Sequence, residues 1–221
     1  MTLFDQLSEP LPSNPLPLLA AWLEEARDKR VQPNPDAMVL ATVGETGRPS
    51  ARVVLCKQLS VEAGYAVFFT NYLSRKGREL ATHPHAAAVF HWDSLCRQVR
   101  LEGVVVRSPS QESDRYFTSR ALESRIGAWA SRQSESLASR STLEERVHAI
   151  AARYGIAAGD TEGDVPRPPH WGGYRLWIEA IELWVEGTNR VHDRAVWKRT
   201  LTTLDEFSFT PGAWEAARLY P

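Results

Sequence analysis

Residues 37–59, AMVLATVGETGRPSARVVLCKQL, decide the fold of this chain. Two runs rich in β-branched and apolar residues flank the turn sequence GETG at 44–47, and this pattern predicts an antiparallel β-hairpin. Arg52 and Lys57 flank the second run, so one strand of the hairpin carries basic side chains next to residues suited to a core.

Strand patterns recur along the rest of the chain and alternate with helical ones. We predict helices at 16–30, at 74–84, within 108–134 and at 141–155, and further strands at 64–72, 85–92, 96–108, 174–187, 194–199 and 213–221. Because short turns join most strands, the sequence predicts a mainly β fold, an antiparallel, Greek-key-like barrel with peripheral helices. We expect a single domain over 1–221, with a flexible N-terminal segment at 1–14 and an exposed loop at 155–170.

Length and composition restrict the function classes. The 221 residues include 43% hydrophobic residues, enough for one core, and the net charge of −1 gives no support to nucleic-acid binding. Cys56 and Cys96 lie inside apolar runs, which favours reduced thiols over a disulfide. The N-terminus has no basic leader, and its apolar runs fall short of the ~20 residues of a membrane span. We therefore expect a cytoplasmic protein with no nucleic-acid or membrane partner.

Basic residues cluster at the predicted start of the helix at 74–84. Ser74 stands at the N-cap position, and Arg75 and Lys76 follow it in the first turn. Two cations there are unfavourable to the helix itself, whose N-terminus favours an anion, so a bound negative ligand is one interpretation. Solvated surface charges are the alternative.

A second polar cluster lies at 116–124. On a helix, Tyr116, Arg120 and Ser124 are four residues apart and share one face. A phenol, a guanidinium and a hydroxyl on one face suit a phosphate or a carboxylate, whereas an ordinary exposed helix face is the alternative.

The stretch WVEGTNRVHDR at 184–194 has basic or titratable residues at every second position near its end, and its first residue, a tryptophan, has the same parity. In an extended strand, Trp184, Arg190, His192 and Arg194 would point to the same face. That face would combine an aromatic ring, two guanidiniums and an imidazole. The pattern alone does not identify the ligand that such a face would bind.

Signatures of several other chemistries are missing from the sequence. His83, His85 and His91 have no cysteine or acidic partner at ligand spacing, so we expect no metal site. The chain has no GxSxG motif, no glycine-rich phosphate loop and no paired-carboxylate signature, which counts against hydrolases and enzymes of nucleotide triphosphates.

Six stretches of the chain form an ordered set of motifs. They are RVVLCK (52–57), FFTNYLSRKGREL (68–80), RQVRLEG (97–103), SRIGAWASRQS (124–134), PRPPHWGGYR (166–175) and NRVHDR (189–194). In order and approximate spacing this set resembles the pyridoxamine 5′-phosphate oxidase family, and the closing RLYP (218–221) resembles that family's end. Each motif is weak alone, whereas the ordered set is specific and covers about residues 37–221.

The resemblance implies an FMN-binding split β-barrel that forms a homodimer, with FMN at the subunit interface. It assigns FMN binding to Arg52, Val53, Val54, Leu55, Cys56, Lys57, Phe69, Thr70, Arg75, Lys76, Gln98, Gln133, Ser134, Trp184 and Arg194. It assigns substrate binding to Lys57, Tyr116, Arg120, Ser124, Arg190, Val191 and His192, with Arg190 and His192 as the expected catalytic residues. The two anion sites that the residue patterns suggest then correspond to two phosphates.

The implied reaction is the oxidation of pyridoxamine or pyridoxine 5′-phosphate to pyridoxal 5′-phosphate, with O2 as electron acceptor and H2O2 as product. A hydride equivalent would pass from substrate C4′ to flavin N5, while the protein orients the two rings. Arg190 would clamp the substrate ring and act as its electrostatic partner, and His192 would orient it by a hydrogen bond.

The chain departs from the family's pattern in three places. The family's longer N-terminal arm has no counterpart before the first predicted helix, Ala121, Leu122 and Arg125 replace the usual residues, and Val185 and Glu186 stand where the family has Gln and Gly. Two alternatives therefore stay open. One is an FMN oxidase that acts on another reduced heterocycle, as in phenazine biosynthesis, and the other is a non-catalytic carrier of flavin or pyridoxal phosphate.

Overall fold

The computed structural model describes residues 6–221, in which strands and helices alternate. The helices are α1 (Leu16–Asp28), α2 (Arg75–Thr82), α3 (Ser110–Thr118), α4 (Leu122–Ala130) and α5 (Arg140–Arg153). The strands are β1 (Ala37–Val43), β2 (Pro49–Leu55), β3 (Gln58–Ser60), β4 (Tyr65–Asn71), β5 (His85–Trp92), β6 (Arg97–Arg107), β7 (Trp171–Val185), β8 (Asp193–Lys198), β9 (Leu201–Thr203), β10 (Phe209–Pro211) and β11 (Glu215–Leu219).

The hairpin predicted at 37–59 is the first unit of the sheet. β1 and β2 pair antiparallel from Ala37 opposite Leu55 to Val43 opposite Pro49, so the turn falls on GETG and the prediction is confirmed. Beyond β2 the Lys57 N–H donates to the Val67 carbonyl at 2.8 Å, which directs the chain into β3 and its pairing with β4.

The strands of the described chain pair only antiparallel, and the main sheet runs in the order β11-β8-β7-β6-β5-β1-β2. β4 pairs with residues 171–177 of β7, whereas β8 pairs with residues 180–185 of the same strand. A bulge between Glu102 and Gly103 bends β6, and a Cβ at Gly103 would lie 1.9 Å from the Trp177 carbonyl oxygen. The sheet curls into a split β-barrel, which confirms the predicted fold.

α1 packs its apolar side onto the sheet. Leu16, Leu19 and Leu23 are almost inaccessible and belong to the same buried cluster as Phe68 and Phe90 of the strands. Burial of each leucine stabilises the fold by about 2 kcal/mol. The helical periodicity at 16–30 therefore marked the side of α1 that closes the core.

The helical segment within 108–134 consists of two helices. Extended Ala121 (φ −53°, ψ 144°) separates α3 from α4. The break allows Phe117 to pack with Trp171 in one apolar cluster while Leu122 packs with Val165 in another. Tertiary packing, rather than local spacing, sets this boundary.

The connecting segments are tied to the barrel at a few points. Residues 155–170 join α5 to β7 without a helix or strand, and Val165 among them is buried. Of the segment 1–14, residues 1–5 lie outside the described residues, whereas Leu7 is buried and its N–H donates to Asp193 at 2.8 Å. The β9–β10 hairpin was missed because each strand has only three residues.

The two cysteines are free, as predicted. Burial raises the pKa of the Cys56 thiol to about 12, so this thiol is inert, and Cys96 is half-buried. Over residues 6–221 we find no helix that combines the length and the apolar composition required to cross a bilayer.

Candidate active site

The first candidate site lies at the start of α2. The Ser74 hydroxyl caps the helix by accepting from the Gly77 N–H at 3.3 Å, as predicted. Beside this cap the Lys76 ammonium donates to Gln133 Oε1 at 2.9 Å, to Thr70 Oγ1 at 3.0 Å and to Ser74 Oγ at 3.3 Å. We call Thr70, Ser74, Lys76 and Gln133 the α2 pocket. It joins three residues that the family resemblance assigned to FMN: Thr70 and Lys76 from the motif at 68–80, and Gln133 from the motif at 124–134.

Lys76 is the buried charge of the α2 pocket. It is 8% exposed, and within residues 6–221 no carboxylate lies at ion-pair distance from it. Burial lowers its pKa to about 8, repulsion from Arg52 acts in the same direction, and Glu79 opposes them. A desolvated ammonium among neutral oxygens at a helix N-terminus is a favourable place for an anion.

Glu79 orients two arginines next to the α2 pocket. Its carboxylate accepts from Arg75 Nε at 2.8 Å, from Arg52 Nη2 at 3.2 Å, from Thr42 Oγ1 at 2.5 Å and from Ser50 Oγ at 2.7 Å. Burial acts to raise the pKa of Glu79, but these four donors outweigh it and lower the pKa to about 2. Arg52 also donates to the Thr42 and Ser50 hydroxyls. Because two arginines share the single charge of Glu79 and Lys76 has no carboxylate partner in the described chain, the region keeps a positive charge.

Phe69, Tyr116 and Trp171 stack into what we call the aromatic shelf. The ring centroids of Phe69 and Tyr116 are 3.9 Å apart, and those of Phe69 and Trp171 are 5.6 Å apart. The Arg120 guanidinium lies over Trp171, with Cζ 4.6 Å from the ring centroid. Arg120 Nη1 is buried without a hydrogen-bond partner in the described chain, and burial lowers the pKa of this guanidinium. An unpaired buried N–H beside flat rings suits the anionic group of a planar ligand.

The predicted single helix face at 116–124 is wrong. Tyr116 lies on α3, Ser124 lies on α4, and extended Ala121 rotates one helix relative to the other. Arg120 lies in the connection, where its backbone N–H donates to the Phe117 carbonyl at 3.2 Å. The structure therefore brings Tyr116 and Arg120 together at the aromatic shelf, whereas Ser124 is exposed on a different helix.

The predicted cofactor strand is β2 together with the two residues after it, and β2 is an edge strand of the main sheet. Val54 and Cys56 are buried in the core, so a ligand can reach only their main-chain atoms. Val53 is 63% exposed, Leu55 is half-buried and Lys57 is exposed. The strand thus presents an open edge and a free ammonium side by side.

Gln98, Trp184 and Arg194 lie in one row across β6, β7 and β8. Gln98 is opposite Trp184, and Trp184 is opposite Arg194, so the three side chains share a face of the sheet. Arg194 donates from Nε and Nη2 to Glu182 Oε1 at 3.0 and 2.8 Å, and from Nη1 to the Tyr220 carbonyl at 3.0 Å. Three residues assigned to FMN, one from the motif at 97–103 and two from the stretch 184–194, are therefore neighbours.

The stretch 184–194 is a hairpin connection, and its description as one extended strand is wrong. β7 ends at Val185, and Thr188–Arg190 form a 3₁₀ turn in which Asn189 and Arg190 have φ of 54° and 64°. The chain reverses there because β8, from Asp193, pairs with β7. Alternation along the sequence consequently does not describe which residues share a face.

Arg190, Val191 and His192 form the tip of this connection. Arg190 and Val191 are exposed, and the His192 ring centroid lies 4.7 Å from that of Trp184. His192 Nδ1 accepts from the Gly187 N–H at 3.2 Å, which leaves the proton of a neutral ring on Nε2. A guanidinium and an imidazole N–H donor are thus presented beside the row that contains Trp184.

Sequence reasoning missed Glu79, Glu182 and Trp171, which organise these groups. Glu79 follows Arg75 by four residues on a helix, a spacing that signals an ion pair. Glu182 precedes Trp184 by two residues on a strand, which places it on the same face. For Trp171 the sequence offered no indication of a role beyond its place in the motif PRPPHWGGYR at 166–175. Ser134, next to Gln133, is exposed with φ of 74°.

The fold and these groups define a split β-barrel with two cationic clusters of side chains, one at the start of α2 and one over the aromatic shelf. Residues 23–154 match a family model described as pyridoxamine 5′-phosphate oxidase. Residues 171–221 match one described as the pyridoxine 5′-phosphate oxidase C-terminal dimerisation region, which supports a homodimer. The chain belongs to the pyridoxamine 5′-phosphate oxidase family, a family of oxidases whose cofactor is FMN, as the order of its motifs predicted.

Two relatives named as pyridoxine/pyridoxamine 5′-phosphate oxidases are similar to this chain over most of its length. A pyridoxine/pyridoxamine 5′-phosphate oxidase of Burkholderia lata is 50% identical over 200 residues, covering 90% of this chain and 86% of the relative. The protein of that name from Paraburkholderia phytofirmans is 50% identical over 208 residues, covering 94% of this chain and 89% of the relative.

Two solved structures resemble the whole barrel. PhzG from Burkholderia lata 383, in complex with tetrahydrophenazine-1-carboxylic acid, matches with a TM-score of 0.81 and 30% identity, over 100% of this chain and 98% of the other. A pyridoxamine 5′-phosphate oxidase-related FMN-binding protein from Nostoc punctiforme matches with a TM-score of 0.65 and 15% identity, over 93% and 96%, and shares the fold.

Proposed function

We propose that this protein is an FMN-dependent oxidase that converts pyridoxamine or pyridoxine 5′-phosphate to pyridoxal 5′-phosphate, with O2 as electron acceptor and H2O2 as product. With the amine substrate the reaction would also consume water and release ammonia. The observation that carries the proposal is a pair of cationic groups, the buried Lys76 ammonium and the half-buried Arg120 with its buried Nη1, neither of which has an anionic partner in the described chain. Two separate groups of this kind match two phosphorylated ligands, a cofactor and a substrate. The names of the 50% identical relatives support the same reaction.

FMN fits the α2 pocket by charge and by hydrogen bonding. Its phosphate would give Lys76 an anionic acceptor in place of neutral oxygens, and it would meet the free N–H groups at the start of α2. Arg52 and Arg75, which Glu79 already orients, would supply further donors. This is the set of residues that we propose to hold the phosphate of the cofactor.

The other proposed FMN ligands support a site shared by two copies of the chain. Phe69 pairs with Gly173 near the start of β7, whereas Trp184 lies near its end. About 35 Å of extended strand separates these two positions along β7. A flavin beside Phe69 of one copy therefore reaches Gln98, Trp184 and Arg194 only if a second copy supplies them.

The chain's own groups would bind and orient the substrate. Bound FMN would provide the redox chemistry, as the acceptor of a hydride equivalent from substrate C4′ that O2 reoxidises. We assign the substrate phosphate to Lys57, Tyr116, Arg120 and Ser124. Arg190 would lie against the pyridine ring of the substrate, and His192 would donate to the substrate from Nε2. Because the phosphate and the ring are then both held, the position of the reacting carbon is fixed as well. The free cysteines support a cytoplasmic location for this enzyme.

An oxidase of reduced phenazine-type heterocycles is the second candidate. It is favoured by the match over the whole chain to PhzG, whose bound compound is named as a carboxylic acid. One carboxylate would also suit Arg120 above the aromatic shelf. The exposed Lys57 ammonium, however, offers a second cation, which suits a dianionic phosphate better than a single carboxylate.

Oxygen uptake by the FMN-loaded protein separates these functions. We expect H2O2 and pyridoxal 5′-phosphate from pyridoxamine or pyridoxine 5′-phosphate, and little uptake with tetrahydrophenazine-1-carboxylic acid. An Arg120→Met control should raise KM for the phosphorylated substrates and leave the amount of bound FMN unchanged. The reverse substrate preference would favour the phenazine-type oxidase, and bound FMN without turnover of any of them would indicate a carrier.

A further inference from the structure

The loop at 186–192 carries Arg190 and His192 in a backbone shape that needs support. Asn189 and Arg190 both have left-handed φ values, a region that residues other than glycine rarely adopt. Inside the loop the Val191 N–H donates to the Thr188 carbonyl at 3.0 Å. The Arg190 side chain makes no hydrogen bond or ion pair within residues 6–221, so the backbone alone sets its position.

Asp193, the residue after His192, anchors the end of this loop. Its Oδ2 accepts from the Leu7 N–H at 2.8 Å, and its Oδ1 accepts from Arg218 Nη1 at 2.5 Å. Arg218 Nη2 also donates to the carbonyls of Leu7 at 3.1 Å and Ser8 at 3.2 Å. We call Asp193, Arg218 and the Leu7–Ser8 backbone the Asp193 clamp.

The Asp193 clamp connects the loop to rigid parts of the molecule. Leu7 is 5% exposed and belongs to the main core cluster, so its N–H is fixed by packing. Arg218 lies on β11, which pairs with β8 directly beyond Asp193. Both carboxylate oxygens have partners, one of them cationic, so the side chain of Asp193 has little freedom to move.

We propose that Asp193 is a positioning residue for the substrate loop and acts through Leu7 and Arg218. Holding the first residue of β8 holds the end of the left-handed turn, and with it the placement of the Arg190 guanidinium and the His192 ring. The inference rests on the proposed function, because it takes these two side chains as substrate contacts. Small displacements of such groups have large effects on substrate binding and turnover.

Two clamp variants and a matched control test the proposal. Asp193→Asn and Arg218→Met each remove the ion pair, whereas Asp36→Asn removes the Arg27–Asp36 ion pair of 2.6 Å on a different part of the surface. We expect each clamp variant to raise KM for pyridoxamine 5′-phosphate about tenfold, with the Kd for FMN within about twofold of wild type. The double variant should be no worse than Arg218→Met alone, because both substitutions remove the same ion pair.

A purely structural role would give a different result. Clamp variants that lose as much thermal stability as Asp36→Asn but keep the wild-type KM would overturn the proposal, and so would a parallel loss of FMN affinity. Hydrogen exchange of amides 186–192 in the FMN-loaded protein adds a readout that needs no activity. Exchange should be faster in Asp193→Asn than in Asp36→Asn, and equal exchange would refute the clamp. A wild-type protein that oxidises neither phosphorylated substrate would instead refute the proposed function.

Discussion

FMN binding should weaken as the pH rises through the titration of Lys76. In the free protein, burial lowers the pKa of Lys76 to about 8 from 10.5, whereas a phosphate dianion beside the ammonium would return the pKa at least to its ordinary value. The complex then binds more protons than the free protein above pH 8, so the affinity falls there with rising pH. The stability of the free protein should change in the opposite direction, because between pH 8 and 10.5 its unfolded state binds more protons.

The size of the effect follows from this one group. If the pKa of Lys76 returns to 10.5 in the complex, the Kd for FMN should rise about 20-fold between pH 7.5 and 9.5. The phosphate, with a second pKa of about 6, stays a dianion throughout this range. Lys76→Met, which removes a charge-assisted hydrogen bond of about 1.5–3 kcal/mol, should raise Kd at pH 7 by about 10- to 150-fold.

Calorimetric titration of the free protein with FMN measures both the Kd and the proton uptake. Titrations at pH 8 in two buffers of different ionisation enthalpy should reveal an uptake of about half a proton per FMN. Lys76→Arg is the matched control, because a guanidinium keeps its charge across the range and should bind FMN with little dependence on pH. Equal pH slopes for the wild type and the Lys76→Arg variant, or no proton uptake by the wild type at pH 8, would show that Lys76 is not the buried phosphate ligand.

Four further outcomes are expected. Arg190→Ala should lower turnover about 100-fold and leave FMN content unchanged, since the side chain lies outside the α2 pocket, and an equal loss of both would contradict its role. Arg75→Ala should lower FMN affinity, measured as flavin retained after dialysis. Glu79→Gln should lower the free energy of unfolding, measured in urea, by up to about 3 kcal/mol at pH 7 and by less at pH 3.5. The pKa of Glu79 is about 2 in the folded protein and 4.5 in the unfolded chain, so the stability that its carboxylate provides is lost as the pH falls below 4.5. Gly187→Ala should raise the substrate KM, because a Cβ would lie 1.7 Å from the Val191 carbonyl oxygen, and an unchanged KM would show that the loop can adjust.

Features that depend on neighbours in the chain were predictable from the sequence. The hairpin at 37–59 follows from two strand patterns around a tight turn. The Ser74 cap follows from the position of Ser74 three residues before Gly77, whose N–H donates to the serine hydroxyl. The same holds for the apolar side of α1. The order of the motifs further identified the family, because it combines many weak local signals over most of the chain.

Features that depend on distant partners were decided by the tertiary structure. Local spacing could not show that Phe117 and Leu122 enter different apolar clusters, and this difference breaks the predicted helix face. Nor could alternation at 184–194 show that β8 turns back onto β7.

For the charged groups of the candidate site, too, some properties follow from the sequence and others only from the tertiary structure. The sequence by itself determined which cations the chain carries and, through its motifs, which ligands they were expected to bind. Only the folded chain decided that Lys76 is surrounded by neutral oxygens while Glu79 takes up Arg52 and Arg75. The physical reason is that burial and pairing are properties of side chains brought together from remote segments, and these two properties determine whether a cation remains available to a ligand.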